Sequence, residues 1–141
     1  MGDAGALPEW RPGTVAVLST GGGPPHAIPV STAVRAGPQR VVLALARTRE
    51  SLARLRADPR CALTVMAAGD VSVTVHGRAS VVREALVGAE GVAAVEIAVE
   101  TVQSHADPRF RVDDGVRWRW TDAEAERRDA AVHAALARLA G

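Results

Sequence analysis

From Val71 to Val81 the chain alternates without interruption. Val71, Val73, Val75, Ala79 and Val81 fall in one row with Gly77 among them, and Ser72, Thr74, His76, Arg78 and Ser80 fall in the other. A period of two marks extended chain with one face buried. Such a strand cannot stand alone, because its backbone groups and its apolar row both need neighbours. The first neighbour lies just upstream. Cys61-Ala62-Leu63-Thr64-Val65-Met66 is a nearly continuous apolar run, and Ala67-Ala68-Gly69-Asp70 is a compact hairpin connection between the two. This pair predicts an antiparallel sheet with an apolar interior.

The residues before the pair carry the most chemistry. Val41 to Ala46 reads as a strand, Arg47-Thr48-Arg49-Glu50-Ser51 as a corner, and Leu52 and Leu55 as the buried face of a short helix. Pro59 disfavours helical geometry at Asp58, so that helix should stop near Ala57. Thr48 is its expected N-cap. Unpaired N–H groups in the first helical turn, with Arg47, Arg49 and Arg54 nearby, suit a phosphate monoester. The plainer alternative is a solvated basic face, and Glu50 in the same turn would repel an anion.

The rest of the chain supplies further strands and one more helix. Residues 1–13, rich in Gly, Pro and Ala, form an arm anchored by Leu7 and Trp10. Thr14 to Thr20 is the first strand and Gly21-Gly22-Gly23-Pro24-Pro25 a hairpin loop. No Gly-Lys-Ser/Thr follows that glycine run, so it is not a nucleotide phosphate loop. His26 to Arg35 is the second strand, with Pro29 placing it at an edge or bulge. Arg83 to Gly91 is expected to form a short helix, Val95 to Val102 a strand with one wet face, and Gln103 to Gly115 a loop. Val116-Arg117-Trp118-Arg119-Trp120 reads as a last strand with both tryptophans on one face. Thr121 and Glu124 fit a capping box, opening a helix over 121–140 with Val132, Leu136 and Leu139 as its apolar stripe. The expected fold is mainly β with α: a six- to seven-stranded antiparallel split β-barrel, with a short inter-strand helix and a C-terminal helix, in one domain over 1–141.

Composition excludes several kinds of chemistry. All 17 basic residues are arginine, which rules out a Schiff base at a lysine. A net charge of +1 provides no field to gather nucleic acid, and one Phe with no Tyr leaves little besides the tryptophans to stack bases. Cys61 is the only cysteine and sits in an apolar strand, as an inert thiol would. His26, His76, His105 and His133 show no metal-ligand spacing. No apolar run approaches a membrane span and no leader pattern is present, so a cytoplasmic protein without membrane contact is expected.

Two motifs carry a resemblance. Leu55-Arg56-Ala57-Asp58-Pro59-Arg60-Cys61-Ala62-Leu63 and Val73-Thr74-Val75-His76-Gly77-Arg78-Ala79, with Val15 to Thr20 and Pro25 to Val30 as a first hairpin, resemble the FMN-binding split barrels of the pyridoxamine 5′-phosphate oxidase-like superfamily. That superfamily includes flavin- and deazaflavin (F420)-dependent oxidoreductases. The resemblance implies a homodimer with FMN, or alternatively F420, at the subunit interface, and a hydride passed to or from a small organic substrate. By position, Pro29, Val30, Ser31 and Thr32 would run along the ring, and Arg47, Thr48, Arg49 and Ser51 would face the phosphate. Ser72 and Thr74 would add polar contacts, and Trp118 or Trp120 would flank the ring. The chain departs from the family at Ser51, where the phosphate lysine would fall, so Arg47, Arg49 or Arg54 is the expected substitute. It is also short for a true pyridoxamine-phosphate oxidase, and that activity is not expected.

A second reading is a non-catalytic split barrel that binds flavin or haem, or a dimeric interaction module. In the haem case one of the four histidines would be the axial ligand.

Overall fold

A computed structural model describes residues 5–141. The elements in chain order are β1 (Ala16–Thr20), β2 (His26–Val30), β3 (Val34–Arg35), β4 (Arg40–Ala46), α1 (Glu50–Ala57), β5 (Arg60–Ala67), β6 (Val71–Arg83), β7 (Val92–Ser104) and α2 (Ala123–Ala140). The seven strands form one antiparallel sheet in the order β2-β1-β5-β6-β7-β4-β3. It curls so that one face becomes an interior, as expected of a split barrel.

The interior is built from the alternating rows. Val71, Val73, Val75 and Ala79 of β6 are buried with Leu18 of β1, Val41 and Leu43 of β4, Leu63 and Val65 of β5, and Val95 and Ile97 of β7. The opposite row of β6 behaves as its chemistry demands, with His76, Arg78 and Ser80 exposed. Gly77 is required where it stands. The β6–β7 register shifts between His76 and Gly77, and a Cβ at Gly77 would lie well inside van der Waals contact distance of the Ala98 carbonyl oxygen.

The unbroken apolar run of β4 has a separate cause. Val41 and Leu43 face the interior, while Val42 faces outward into a second cluster with Ala94, Leu86, Val132, Ala135 and Leu136. Helix α2 covers that outer patch, so β4 is buried on both faces. The N-terminal arm is fixed by the two residues expected to anchor it. The Leu7 amide donates to the Pro38 carbonyl, and Trp10 Nε1 donates to the Ala33 carbonyl at 2.9 Å.

Several sequence expectations are corrected. The strand expected over 26–35 breaks at Ser31–Ala33 into β2 and β3, and β2 is a sheet edge, consistent with an exposed Pro29. Arg83 to Gly91 is not a helix. Gly88 takes a φ of +84°, and Leu86 and Ala89 form a small bridge whose side chains lie under α2. Strand β7 starts at Val92 and runs to Ser104, because it pairs along most of the equally long β6. Val116 to Trp120 is not a strand: Arg117 makes one isolated bridge to Thr14. Beyond that point β1 is already flanked by β2 and β5, so the segment cannot continue alongside it. The cap of α1 is Arg49 rather than Thr48, with no side-chain capping bond. The cap of α2 is Asp122, one residue after the expected Thr121, and its carboxylate accepts from the Ala125 amide at 2.9 Å. No helix among the described residues is long and apolar enough to cross a membrane.

Candidate functional site

The break between β2 and β3 is made by one side chain. Thr32 Oγ1 accepts from the Ala44 amide at 3.0 Å and donates to the Ala44 carbonyl at 3.3 Å, taking the place of a strand partner. Residues 29–32 are thereby held against the end of β4 without continuing the ladder. Beside this seam opens a groove of about 190 Å³. Its walls are Pro29 to Thr32 on one side, Ala44 to Ala46 and Val92 on another, and Trp118, Trp120, Asp129 and Val132 opposite, with Arg49 also lining it.

The tryptophans keep a shared orientation although they form no strand. Their rings meet edge to face, with centroids 6.5 Å apart and planes at 68°, and each is a little over 40% exposed. Half-exposed indole faces offer a stacking surface.

The arginine corner separates into free and occupied cations. Arg54 donates through Nε to Glu50 at 2.7 Å and through Nη1 to the Pro24 carbonyl at 2.6 Å, clasping the glycine-rich hairpin loop to α1. Arg56 is paired with Glu84 and Arg60 with Asp58. Glu50 is held below its usual range by the hydrogen bond and charge of Arg54, with His26 adding to the field. Arg47 is exposed and contributes to the positive field at Glu84. The Arg49 side chain lines the groove and makes no hydrogen bond or ion pair with any described residue. It stands at the α1 N-terminus, where no side chain caps the first-turn amides.

Of the residues singled out from sequence, Pro29, Val30, Ser31, Thr32, Arg49, Trp118 and Trp120 meet in this groove. The others do not line it. Arg47 and Thr48 are exposed on the corner. Ser51 is fully buried, 3.2 Å from His26 Nε2. Ser72 and Thr74 belong to a different cluster on the outer face of β6, where Thr74 Oγ1 bridges Thr64 Oγ1 at 3.0 Å and His105 Nε2 at 2.8 Å. His76 Nε2 lies 3.4 Å from Gln103 Oε1, and His133 pairs with Asp129 at 3.5 Å. Among the described residues no group of three or more His, Cys, Asp or Glu side chains converges on a metal position.

Asp129 was not anticipated. It lies three residues before Val132, the first residue of the apolar stripe, so helical spacing alone puts it on the same face of α2. Lining a groove together with Arg49, it makes the charged lining of the site one acidic and one basic side chain.

A family model described as pyridoxamine 5′-phosphate oxidase matches residues 6–114. No curated protein matches the chain. Solved structures with the same fold include an F420 reductase at 13% identity and a TM-score of 0.57, covering 69% of this chain and 98% of that one. A proposed pyridoxamine 5′-phosphate oxidase from Listeria innocua aligns at 14% identity and a TM-score of 0.55, covering 67% and 90%. An FAD-binding protein from Mesorhizobium loti aligns at 19% identity and a TM-score of 0.51, covering 63% and 83%. At these identities the likeness is one of fold.

Proposed function

The chain belongs to the pyridoxamine 5′-phosphate oxidase family, and from that premise we propose that it is a redox protein that binds FMN or the deazaflavin F420 in the groove beside Arg49. The bound ring would accept or donate a hydride, and the partner in that exchange is a small organic molecule. One similar structure is described as FAD-binding and another as an F420 reductase, so both cofactor classes have precedent in the fold.

The observation that carries the reading is the Arg49 guanidinium, unpaired among the described residues, in one groove with two half-exposed indoles and the 29–32 segment. Arg49 and the uncapped amides of α1 would hold the phosphate, while Trp118, Trp120 and residues 29–32 would bound the ring. Arginine is suited to this role because its fork can meet two phosphate oxygens at once. Glu50 does not compete, being engaged by Arg54.

The groove also supports a homodimer. At about 190 Å³ it is smaller than the roughly 300–1,000 Å³ that usually encloses a small ligand, so a second copy of the chain would complete the site.

The test is titration of FMN and of F420 into cofactor-free protein, followed by cofactor and tryptophan fluorescence, with mass measured by light scattering. Binding of either by a dimer is expected, weakened about tenfold or more in Arg49→Ala. If neither cofactor binds, or if Arg49→Ala binds as the wild type does, the assignment is wrong.

A further inference from the structure

The tryptophan groove is lined by two opposite charges that do not meet. Arg49 comes from the start of α1 and Asp129 from α2, and no ion pair joins them. The one charged neighbour of Asp129 is His133, a helical turn further on, with Nε2 3.5 Å from Oδ2. That separation is long for a hydrogen bond, and the contact is an ion pair only while the imidazole is protonated. The other carboxylate oxygen, Oδ1, has no partner among the described residues.

The Asp129 side chain is only 24% exposed, so most of it is already out of water. A ligand closing over the groove would remove what hydration is left, and a carboxylate buried without a donor is strongly unfavourable. The occupant must therefore donate to Asp129 while giving Arg49 an acceptor. Both charges line one small groove, so a single molecule spans them. Its donor is not a second anion, which Asp129 would repel. The half-exposed indoles of Trp118 and Trp120, with Val92 and Val132, require the remainder to be flat or apolar.

We propose that Asp129 is a specificity residue that accepts hydrogen bonds from the hydroxyl chain of the cofactor. This inference rests on reading the groove as a flavin or deazaflavin site. FMN and F420 both carry a sugar-alcohol chain between ring and phosphate, and in that reading the chain passes from the indoles to Arg49. It offers several neutral O–H donors next to an anion, which is the combination the two side chains demand. An O–H bonded to a carboxylate is roughly twice as strong as a bond between neutral groups. Asp129 thus selects the chain, Arg49 the phosphate, and the tryptophans the ring.

The test titrates FMN, riboflavin (chain but no phosphate) and lumiflavin (ring but no chain) into the intact protein, reading flavin and tryptophan fluorescence. Asp129→Ala, which favours the helix and keeps the fold, is expected to weaken FMN and riboflavin about tenfold or more and to leave lumiflavin unchanged. Asp129→Asn, which keeps an acceptor oxygen without the charge, should fall between. Arg49→Ala should weaken FMN but not riboflavin, and His133→Ala should change none of the three. If the wild type takes F420 and no flavin, the same comparison is made with F420 and with its deazaflavin ring alone. Wild-type protein that binds neither cofactor overturns the reading of the groove and this inference with it. Cofactor binding that responds to Arg49→Ala but not to Asp129→Ala overturns this inference alone. Equal losses for riboflavin and lumiflavin in Asp129→Ala, or an equal loss in His133→Ala, would also overturn it, because Asp129 would then serve the ring or the helix.

Discussion

His26 Nε2 lies 3.2 Å from Ser51 Oγ, joining the first residue of β2 to the first turn of α1 across a fully buried hydroxyl. Ser51 stands where the family resemblance implies a lysine. A position sealed under the helix and bonded to a histidine presents nothing to the groove, and the neighbouring Arg49 is the cation that does.

Restoring a lysine at this position should therefore harm the protein. Ser51→Lys would bury an ammonium group in a space made for a hydroxyl, at a cost on the order of 3 kcal/mol. Ser51→Ala should cost only about 1 kcal/mol, the worth of one neutral hydrogen bond. Urea denaturation of the two variants distinguishes these values. Equal stability of Ser51→Lys and wild type would mean that the side chain escapes to solvent.

Asp58 sets a dependence on acid. Its carboxylate accepts from the Arg60 side chain and amide, and these bonds hold its pKa down to about 2 from an ordinary value of 3.8. Because the folded value is the lower one, the stabilisation is complete above pH 3.8 and is lost as pH falls through about 2. The difference in stability between wild type and Asp58→Asn should stay level above pH 3.8 and close below it. A gap that widens on acidification would contradict the assignment.

Gly77 should not tolerate a side chain. Gly77→Ala would drive a methyl group into the Ala98 carbonyl and against Ile97, costing about 1–3 kcal/mol through displacement of the β6–β7 pair. Gly69 offers a contrast. Nothing lies within 4 Å of its would-be Cβ, and Gly69→Ala is limited by its φ of +86° alone. Thermal melts of the two variants should rank Gly77→Ala as the less stable.

The thiol of Cys61 should be silent in the native protein. Burial pushes its pKa up to about 12, with the charge of Glu100 adding to the effect. A thiol reagent is expected to label it at the rate of unfolding rather than at the rate of a free thiolate. Prompt labelling at neutral pH would show that β5 opens locally at this end.

Local pattern sufficed where structure is set by neighbours in sequence. The alternation of Val71 to Val81 gave the inward row of β6, the apolar run at Cys61 gave its hairpin partner, Pro59 gave the end of α1, and Val132 with Leu136 gave the buried stripe of α2. These signals have periods of two or 3.6 residues, or depend on a single bond, and are legible in a short window. Tertiary structure decided the edges and the site. Val116 to Trp120 has a strand's alternation but meets the chain ahead of β1 only at the Thr14–Arg117 bridge, since β1 already pairs with β2 and β5. Residues 26–35 alternate throughout, yet split where the Thr32 hydroxyl stands in for a ladder partner. The groove joins residues near positions 30, 45, 49, 119 and 130, which no window contains. Which guanidinium is left free there depends on partners far along the chain. Arg54 reaches the Gly21–Pro24 loop and Arg56 reaches Glu84, leaving Arg49 without a partner among the described residues.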